Sequence, residues 1–374
     1  MLRILHIVGA RPNFIKVAPI VRRMSKFPQQ FQQTLVHTGQ HYDSHMSKVF
    51  FEELDLPFPD TNLEVGSGSH SWQTAQIMLK FEPVIKKNAP DWLIVVGDVN
   101  STLACALVAK KLNVKIAHVE AGLRSFDWTM PEETNRVLTD HLSDLLFVTE
   151  PSAIANLKKE GIDSGAIHHV GNVMMDSLVR LLPKAEKHWK SLPSKLDLDP
   201  KLLNPGKYIL VTLHRPPTVD HQEAFDEIMT AVSEINKGLP VFFPVHPRTQ
   251  NAVNRCVPLH AQNKSVHLLS PLGYLDFLAL MQKAALVITD SGGVQEETTF
   301  LGIPCLTVRP NTERPITIES GTNQLVQNNK KAVLRSVSAI LDTAQHSSHR
   351  APELWDGRAA ERIVRILADL ARKQ

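Results

Sequence analysis

Short apolar runs that alternate with longer amphipathic stretches are the feature that most constrains the fold of this chain. Helical periodicity fills several of the intervals between runs, for example at residues 102–112 and 131–142. This rhythm is typical of βαβ units and of a parallel sheet. We therefore expect an α/β fold with strands at 4–8, 33–37, 93–96, 115–119 and 145–148 in the first half and at 208–213, 241–245, 266–269, 286–289 and 304–308 in the second half.

Residues 182–207 interrupt the rhythm. They contain four prolines, several lysines and little sustained periodicity, which is typical of a surface excursion between domains. The first series of strands ends just before Gly171, so we place the domain change there. With 374 residues the chain is long enough for two α/β domains, which we expect to face each other across a cleft.

The composition excludes several functional classes. Lys plus Arg total 41 and Asp plus Glu total 38, and a net charge of +3 is too small to indicate nucleic acid or an anionic membrane as the main partner. Cys105, Cys256 and Cys305 are odd in number and far apart, so they predict no disulfide framework. No segment approaches the roughly 18–20 apolar residues of a membrane span, and the N-terminus lacks a signal peptide pattern. We expect a cytoplasmic globular protein.

The first candidate strand is followed by a glycine turn that carries cations. The segment Gly9-Ala10-Arg11-Pro12 lacks the second glycine of a P-loop, and no Gly-x-Gly-x-x-Gly follows a strand anywhere, which disfavours external NAD. Arg11 and Lys16 at a helix start suit an anionic ligand. Two solvated cations at an ordinary turn explain the same residues equally well.

Carboxylates follow two later strands of the first half. Asp98 comes after the run at 93–96, and Glu120 comes directly after the run at 115–119. Because ligands of open α/β sheets bind at the carboxyl ends of the strands, these two are candidate site groups. Glu132 and Glu133 begin a helix, where stabilisation of the helix dipole is an alternative explanation.

The second half places polar residues after its own strands. His214 and Arg215 follow the run at 208–213, and the sharpest feature, Asp290-Ser291-Gly292-Gly293, follows the run at 286–289. Small residues at a strand-to-helix turn expose backbone N–H groups that suit a diphosphate. Glu297, one turn into that helix, is placed to bind ribose hydroxyls, and Arg314 offers a further cation.

Three histidines spaced four apart, His37, His41 and His45, do not predict a metal site. Thr38-Gly39-Gln40 breaks any helix between the first two, and no carboxylate completes a known metal pattern. We interpret them as histidines at the surface or at the edge of a site.

Nine short motifs occur in the order found in the non-hydrolysing UDP-N-acetylglucosamine 2-epimerases, and they extend over nearly the full length. Each motif alone is weakly specific, whereas nine in order are specific, so the chain resembles this family. The motifs are GARP at 9–12, TGQH at 38–41, GD at 97–98, HVEAGLR at 118–124, PEETNR at 131–136, GN at 171–172, HR at 214–215, TDSGGVQEE at 289–297 and TERP at 312–315.

The resemblance implies two Rossmann-like domains with parallel sheets facing a cleft, an architecture of the glycosyltransferase-B type. The domains would be residues 1–170 with the C-terminal helix 357–374, which crosses back onto the first domain, and residues 171–356, which bind UDP. It further implies a UDP-sugar substrate, a homodimer, and neither a cofactor nor a metal.

The resemblance also assigns residues. The acid/base carboxylates would be Asp98, Glu120 and Glu132, and the essential histidine would be His214. The substrate-binding residues would be Arg11, Lys16, His41, Arg136, Arg215, Ser291, Gly292, Gly293, Glu297 and Arg314. The implied reaction is reversible C2 epimerisation of UDP-N-acetylglucosamine to UDP-N-acetylmannosamine through elimination of UDP and its re-addition to a 2-acetamidoglucal, which would feed surface polysaccharide synthesis.

Some positions depart from the family pattern. The usual Gly-Thr-Arg-Pro-Glu start has Ala10 and Asn13 here. The Ala-Arg-Pro start also occurs in relatives that act on 2,3-diacetamido-uronic sugar nucleotides. Positions that mark activation by substrate in regulated members align with Asp43 and Trp72, so we expect that activation to be absent or altered. A hydrolysing relative, a glycosyltransferase of the same architecture and a catalytically silent UDP-sugar-binding regulator are the alternatives.

Overall fold

The computed structural model describes residues 1–40, 51, 53–235, 238–260, 265–343 and 350–372, and only the backbone of residues 11, 257–260 and 343. The chain divides into two compact units, Met1–Arg180 with Glu353–Gln374 (unit 1) and Leu181–Pro352 (unit 2). Within the described residues, no helix is both long enough and apolar enough to cross a membrane.

Unit 1 is built on a seven-stranded, all-parallel sheet in the order β3-β2-β1-β4-β5-β6-β7. Buried apolar side chains of the strands and helices form its cores. The strands are β1 Leu2–Val8, β2 Phe31–His37, β3 Thr61–Asn62, β4 Trp92–Val96, β5 Lys115–Ala121, β6 Leu145–Val148 and β7 Ile167–His169; the first helices are α1 Arg11–Met24, α2 His70–Asn88, α3 Asn100–Lys111, α4 Pro131–Leu142, α5 Pro151–Lys159 and α6 Val173–Trp189, the last of which continues into unit 2.

Unit 2 repeats the plan with a six-stranded parallel sheet in the order β10-β9-β8-β11-β12-β13, the strand order of a dinucleotide-binding fold. Its strands are β8 Ile209–Thr212, β9 Val241–Pro244, β10 Val266–Leu269, β11 Leu286–Thr289, β12 Cys305–Thr307 and β13 Asn323–Leu325; its helices are α7 Leu192–Lys195, α8 Pro216–Val219, α9 Gln222–Glu234, α10 Gln250–His260, α11 Tyr274–Met281, α12 Gly292–Leu301, α13 Ile316–Glu319 and α14 Lys330–Thr343. The expectation of two Rossmann-like units with parallel sheets is confirmed.

The secondary structure differs from the sequence expectation at the short edge strands and at the start of residues 182–207. The edge strands β3, β7 and β13 have only two or three residues each and carry polar side chains, so no apolar run announces them. The interpretation of residues 182–207 as an irregular excursion is wrong at its start, because α6 continues through Pro183 to Trp189. Leu181 and Ala185, four apart, are fully buried, and their burial offsets the hydrogen bond that proline removes.

The sheet order determines which loops lie together. The order reverses between β1 and β4 in unit 1 and between β8 and β11 in unit 2. Connections leave such a switch point in opposite directions, which opens a crevice at the carboxyl ends of the strands. Asp98, His214, Arg215 and Ser291 lie in the loops that follow β4, β8 and β11, and Arg11 begins the helix that follows β1.

The C-terminal segment completes unit 1 with helix α15 Ala359–Arg372. Trp355 is buried and donates from Nε1 to the Thr149 carbonyl at 3.0 Å. The carboxylate of Asp176 accepts the backbone N–H groups of Ala359 and Ala360 at 3.0 and 2.9 Å and so caps the helix. Burial raises the pKa of Asp176 to about 6.

The turn at Gly171 is a test of this packing. Its φ is +81°, and a Cβ placed there would lie 2.1 Å from the Leu354 carbonyl oxygen. Gly161 has nearly the same φ, +82°, and has open space around it. We expect Gly171→Ala to lower the free energy of unfolding by at least about 2 kcal/mol more than Gly161→Ala, because overpacking adds to the conformational cost that both share. Urea unfolding measures both, and equal losses would contradict the close contact.

Candidate active site

The loop after β1 is held by Asn13. Its Oδ1 accepts the backbone N–H groups of Gly9 and Ala10 at 3.2 and 3.0 Å, and its Nδ2 donates to the Val96 carbonyl at 3.0 Å. Asn13 therefore joins the ends of β1 and β4 across the switch point. This departure from the family pattern has a structural role that the sequence did not suggest. Arg11 begins α1, and its side chain lies outside the described atoms.

Glu120 lies in a strained position at the end of β5. The pairing of β5 with β6 is irregular between Val119 and Ala121, and Glu120 has φ +73°. A residue other than glycine is seldom found there, and such conformations concentrate at functional sites. The Glu120 side chain is buried and forms an ion pair with Lys16, which is also buried. The two residues selected from separate motifs are thus direct partners.

Asp98 follows β4 and is the more accessible of the two strand-end carboxylates. Arg136 donates from Nη1 to Asp98 Oδ2 at 2.5 Å and from Nε and Nη2 to Glu133 Oε2 at 3.0 and 2.8 Å. Asn135 donates to the Asp98 carbonyl at 2.8 Å. Arg136, which the sequence assigned to substrate, is almost fully buried and is occupied by protein carboxylates.

Glu133 differs from its neighbour Glu132. The Glu133 carboxylate accepts the N–H and Oγ–H of Ser125 at 2.9 and 3.0 Å and the N–H of Phe126 at 2.9 Å. Burial opposes ionisation, but these bonds and Arg136 lower the pKa of Glu133. The carboxylate of Glu132 is half-buried at the start of α4 and makes no polar contact with another described side chain.

A second buried network lies behind Asp98. His118 contacts Asp140 Oδ1 through Nδ1 at 2.6 Å and donates from Nε2 to the Gly97 carbonyl at 2.9 Å. Arg124 pairs with the other oxygen of Asp140 at 2.7 Å and with Glu160 at 2.8 Å. Burial opposes ionisation, but His118 and Arg124 lower the pKa of Asp140. Asp140 therefore contributes stability that is present at neutral pH and is lost as the pH falls through its lowered pKa.

Buried amide and hydroxyl groups extend the polar region of unit 1. Gln40 Oε1 accepts from the backbone N–H and Oγ of Ser101 at 3.0 and 2.6 Å, and Asn100 donates to Gln73 at 2.8 Å. The sequence selected none of these residues as site groups. No sequence motif could have indicated them, because these four residues come from three separated segments and meet only in the folded structure.

In unit 2, Asp290 orients the residues that follow β8. Its buried carboxylate accepts the backbone N–H of His214 at 3.1 and 3.0 Å and that of Arg215 at 2.9 Å. The His214 ring has Nδ1 at 3.4 Å from Asp290 Oδ1 and lies 5.3 Å from the His246 ring, centroid to centroid. His214 is about one-third exposed, so its ring is available to a ligand.

Arginines and glutamates cluster beside the start of α12. Arg314 pairs with Glu313 at 2.5 Å and with Glu296 at 2.9 Å, and Arg215 and Arg309 pair with Glu313 at 3.3 and 2.8 Å. Three guanidinium groups thus lie together with glutamates beside a helix N-terminus, and the exposed N–H groups of such a helix start favour an anion. Burial and the neighbouring arginines lower the pKa of Arg309 against the opposing effect of Glu313.

Gly292 allows Arg314 to reach the helix start. A Cβ at Gly292 would lie 2.7 Å from Arg314 Nη1. Ser291 is the N-cap residue of α12, and Gly292 and Gly293 are its first two residues. Glu297, one turn along, is buried and accepts a hydrogen bond from the Tyr274 hydroxyl at 2.6 Å. Tyr274 is a further residue of this region that the sequence did not indicate.

This contact gives a prediction for nucleotide binding. On the expectation from the family resemblance that Arg314 holds the diphosphate of UDP, Gly292→Ala should displace Arg314 and weaken UDP binding roughly 10-fold or more, because a hydrogen bond to a charged group is worth about 1.5–3 kcal/mol. Titration calorimetry with UDP measures the change, and thermal unfolding of the same variant shows whether unit 2 stays folded. A folded variant with the affinity of the parent protein would contradict the role of Arg314.

Three residues named in the sequence analysis lie outside the described residues. They are His41, which was assigned to substrate binding, His45 of the histidine series, and Asp43 of the activation pattern. Among the residues that the structure describes, no group of three or more His, Cys, Asp or Glu is arranged to hold a metal ion. Cys105, Cys256 and Cys305 are buried and unbridged.

Comparison with known proteins gives full-length matches. A family model described as UDP-N-acetylglucosamine 2-epimerase matches residues 23–368. A Methanococcus maripaludis protein named UDP-N-acetylglucosamine 2-epimerase homolog is 44% identical over 371 residues, which are 99% of this chain and 100% of the relative. The UDP-2,3-diacetamido-2,3-dideoxy-D-glucuronate 2-epimerase of Pseudomonas aeruginosa is 41% identical over 374 residues, 99% of this chain and 100% of the relative.

A solved structure is similar over the same length. The crystal structure of Methanocaldococcus jannaschii UDP-GlcNAc 2-epimerase in complex with UDP-GlcNAc and UDP has a TM-score of 0.89 and 41% identity. The match covers 98% of this chain and 100% of that one.

Proposed function

Because this chain belongs to the UDP-N-acetylglucosamine 2-epimerase family, we propose that it is an isomerase that interconverts UDP-N-acetylglucosamine and UDP-N-acetylmannosamine. The observation that carries the proposal is the 41% identity, over nearly all of both chains, to an enzyme crystallised with UDP-GlcNAc and UDP. We further propose that the product feeds surface polysaccharide synthesis.

The reaction requires groups of the kind that the two units supply. The C2 proton of the sugar is not adjacent to a carbonyl, so direct deprotonation is very slow. Elimination of UDP across C1–C2 breaks the C1–O and C2–H bonds and gives a 2-acetamidoglucal. Re-addition of UDP returns a proton to C2 from the opposite face. Inversion therefore needs a base on one face and an acid on the other.

We assign these proton transfers to Asp98, Glu120 and Glu132 in unit 1. The environments of the first two support different roles, since Asp98 is partly exposed beside Arg136 and Glu120 is buried beside Lys16. Each of these two carboxylates has a cationic partner, Lys16 for Glu120 and Arg136 for Asp98.

We assign the UDP group to unit 2. Ser291, Gly292, Gly293 and Arg314 would hold the diphosphate, and Glu297 the ribose. His214 would be the essential histidine, and Arg215 would bind the leaving group, which must stay bound between elimination and re-addition. The arginines beside the start of α12 support this assignment, because preorganised cations and helix N–H groups stabilise a developing phosphate charge. Arg11, Lys16, His41 and Arg136 complete the proposed set of substrate-binding residues.

A second candidate substrate is a UDP-2,3-diacetamido-uronic sugar. The 41% identity to the Pseudomonas aeruginosa enzyme over the full length favours it specifically. The reaction at C2 would be the same, so the alternative concerns the substituents at C3 and C5 and leaves the proposed carboxylates unchanged.

Incubation with UDP-N-acetylglucosamine in deuterated water tests the proposal by NMR. Deuterium at C2 in both UDP-linked epimers is the expected result. Free N-acetylmannosamine with UDP would show a hydrolysing enzyme, and no change would favour a glycosyltransferase or a binding protein. Exchange only with the diacetamido-uronic substrate would establish the second candidate.

Three expectations about assembly, location and regulation stay proposals. We propose a homodimer, which light scattering on the purified protein would show directly, and a cytoplasmic location. We also propose that activation by substrate is absent or altered. A strongly sigmoidal rate curve in UDP-N-acetylglucosamine would contradict this last proposal.

A further inference from the structure

The loop between β5 and α4 holds aromatic side chains in solvent. Phe126 is 70% exposed and Trp128 is 66% exposed. Aromatic rings bury large apolar areas and usually contribute to cores or to interfaces, so exposure of two within three residues needs an explanation.

The backbone of Phe126 is in an unfavourable conformation. Its φ is +58°, in the left-handed region that glycine, asparagine and aspartate adopt more readily than bulky residues. Glycine at this position would relieve the strain and would lose little buried area. The packing of unit 1 therefore gives no reason for a phenyl ring here.

The loop is fixed to the candidate active site. The Phe126 N–H donates to Glu133 Oε1 at 2.9 Å, and the preceding residue Ser125 donates twice to Glu133 Oε2. Glu133 binds Arg136, and Arg136 binds the Asp98 carboxylate at 2.5 Å. The strained aromatic residue thus belongs to the same hydrogen-bonded structure as the proposed acid/base group, and strain kept at such a place indicates function.

We propose that Phe126 is a substrate-contact residue whose ring packs on the sugar of the UDP-sugar. This inference rests on the proposed function. The loop is hydrogen-bonded through Glu133 and Arg136 to Asp98, one of the carboxylates assigned to C2, so the ligand group expected beside Phe126 is the sugar with its acetamido methyl. The C–H faces of a sugar ring and a methyl group are apolar surfaces that an aromatic ring covers. Trp128 lacks the bond to Glu133 and is not assigned this role.

Calorimetric affinities for UDP and for UDP-N-acetylglucosamine test the proposal on the full-length protein. Phe126→Ala should weaken the affinity for UDP-N-acetylglucosamine roughly 10-fold, as expected for loss of an aromatic contact. It should leave the affinity for UDP within about two-fold of that of the parent protein. Trp128→Ala, the matched removal of an aromatic ring from the same loop, should leave both affinities within about two-fold. Unchanged UDP-N-acetylglucosamine affinity in Phe126→Ala, equal losses for both ligands, or an equal effect of Trp128→Ala would overturn the assignment.

Thermal unfolding of Phe126→Gly provides a second test. Relief of the strained backbone should raise the unfolding temperature while UDP-N-acetylglucosamine binding weakens as in Phe126→Ala. Asp197→Gly, at another exposed residue of positive φ, should leave binding unchanged. A lower unfolding temperature for Phe126→Gly would show that the ring serves stability and would overturn the proposal.

Binding and turnover separate this inference from the proposed function. A parent protein that binds UDP-N-acetylglucosamine and shows the Phe126 effect without exchange at C2 would refute epimerisation and support the sugar contact. If the parent protein exchanges the C2 hydrogen and Phe126→Ala binds UDP-N-acetylglucosamine normally, epimerisation is supported and the sugar contact of Phe126 is refuted.

Discussion

Asp98→Asn is expected to slow C2 hydrogen exchange roughly 10²–10⁴-fold, the usual contribution of a positioned acid or base. Asparagine keeps the volume of aspartate and removes its charge. Arg136 retains Glu133 as a partner, so the loop structure should survive. UDP affinity should stay within about two-fold, because the groups assigned to the nucleotide are in unit 2. NMR in deuterated water and calorimetry with UDP measure the two quantities.

The same strand supplies a matched control. Asp91 lies just before β4, whereas Asp98 lies just after it. The Asp91 carboxylate accepts hydrogen bonds from the backbone N–H and the side chain of Arg3 at 2.7 and 3.3 Å. Asp91→Asn therefore removes the same charge at the other end of β4 and should leave exchange unchanged. Exchange at the parent rate in Asp98→Asn would remove this residue from the mechanism.

Arg136→Met is expected to lower the free energy of unfolding by about 3–5 kcal/mol, the usual cost of breaking a buried ion pair from one side. The buried Glu133 carboxylate would lose two of its hydrogen bonds, and Asp98 would lose its cation. Exchange at C2 should fall together with stability. Urea unfolding measures the first effect and NMR the second.

An exposed ion pair gives the comparison. Lys110→Met breaks the contact of Lys110 with Asp144 at 3.2 Å and should cost less than about 1 kcal/mol. Because the pKa of Glu133 is lowered, its ion pair stabilises the protein above the ordinary carboxyl pKa and loses this effect as the pH falls. The deficit of Arg136→Met should accordingly shrink in acid. A loss for Arg136→Met no larger than that for Lys110→Met would refute the structural role.

The sequence predicted those parts of the fold whose signal is local. The central strands are apolar runs, and the ones at 145–148, 266–269 and 286–289 have the expected bounds. An edge strand such as Thr61–Asn62 has neither length nor apolar character, because its pairing with β2 defines it. The helix continues through Pro183 because Leu181 and Ala185 are buried. The number of prolines in a segment does not reveal such burial.

In the candidate site, too, some residues could be predicted from the sequence and others could not. Residues that follow strands, such as Asp98 and His214, could be selected because the parallel sheet places strand ends together. The partners of those residues could not, since the bond from Arg136 to Asp98 spans 38 positions. The left-handed backbone of Glu120 was also unpredictable, because only glycine announces such a conformation in a sequence.

The return of the last helix to unit 1 has a consequence for biosynthesis. Trp355 and the N-terminus of α15 fill positions that Thr149 and Asp176 prepare much earlier in the chain. A ribosome makes roughly 5–20 residues per second, so the whole of unit 2 is synthesised, over about 10–30 seconds, before those positions can be filled. During that interval the nascent first unit exposes the apolar surface that Trp355 later covers. Unit 2 therefore emerges, and has the opportunity to fold, while its predecessor is still incomplete.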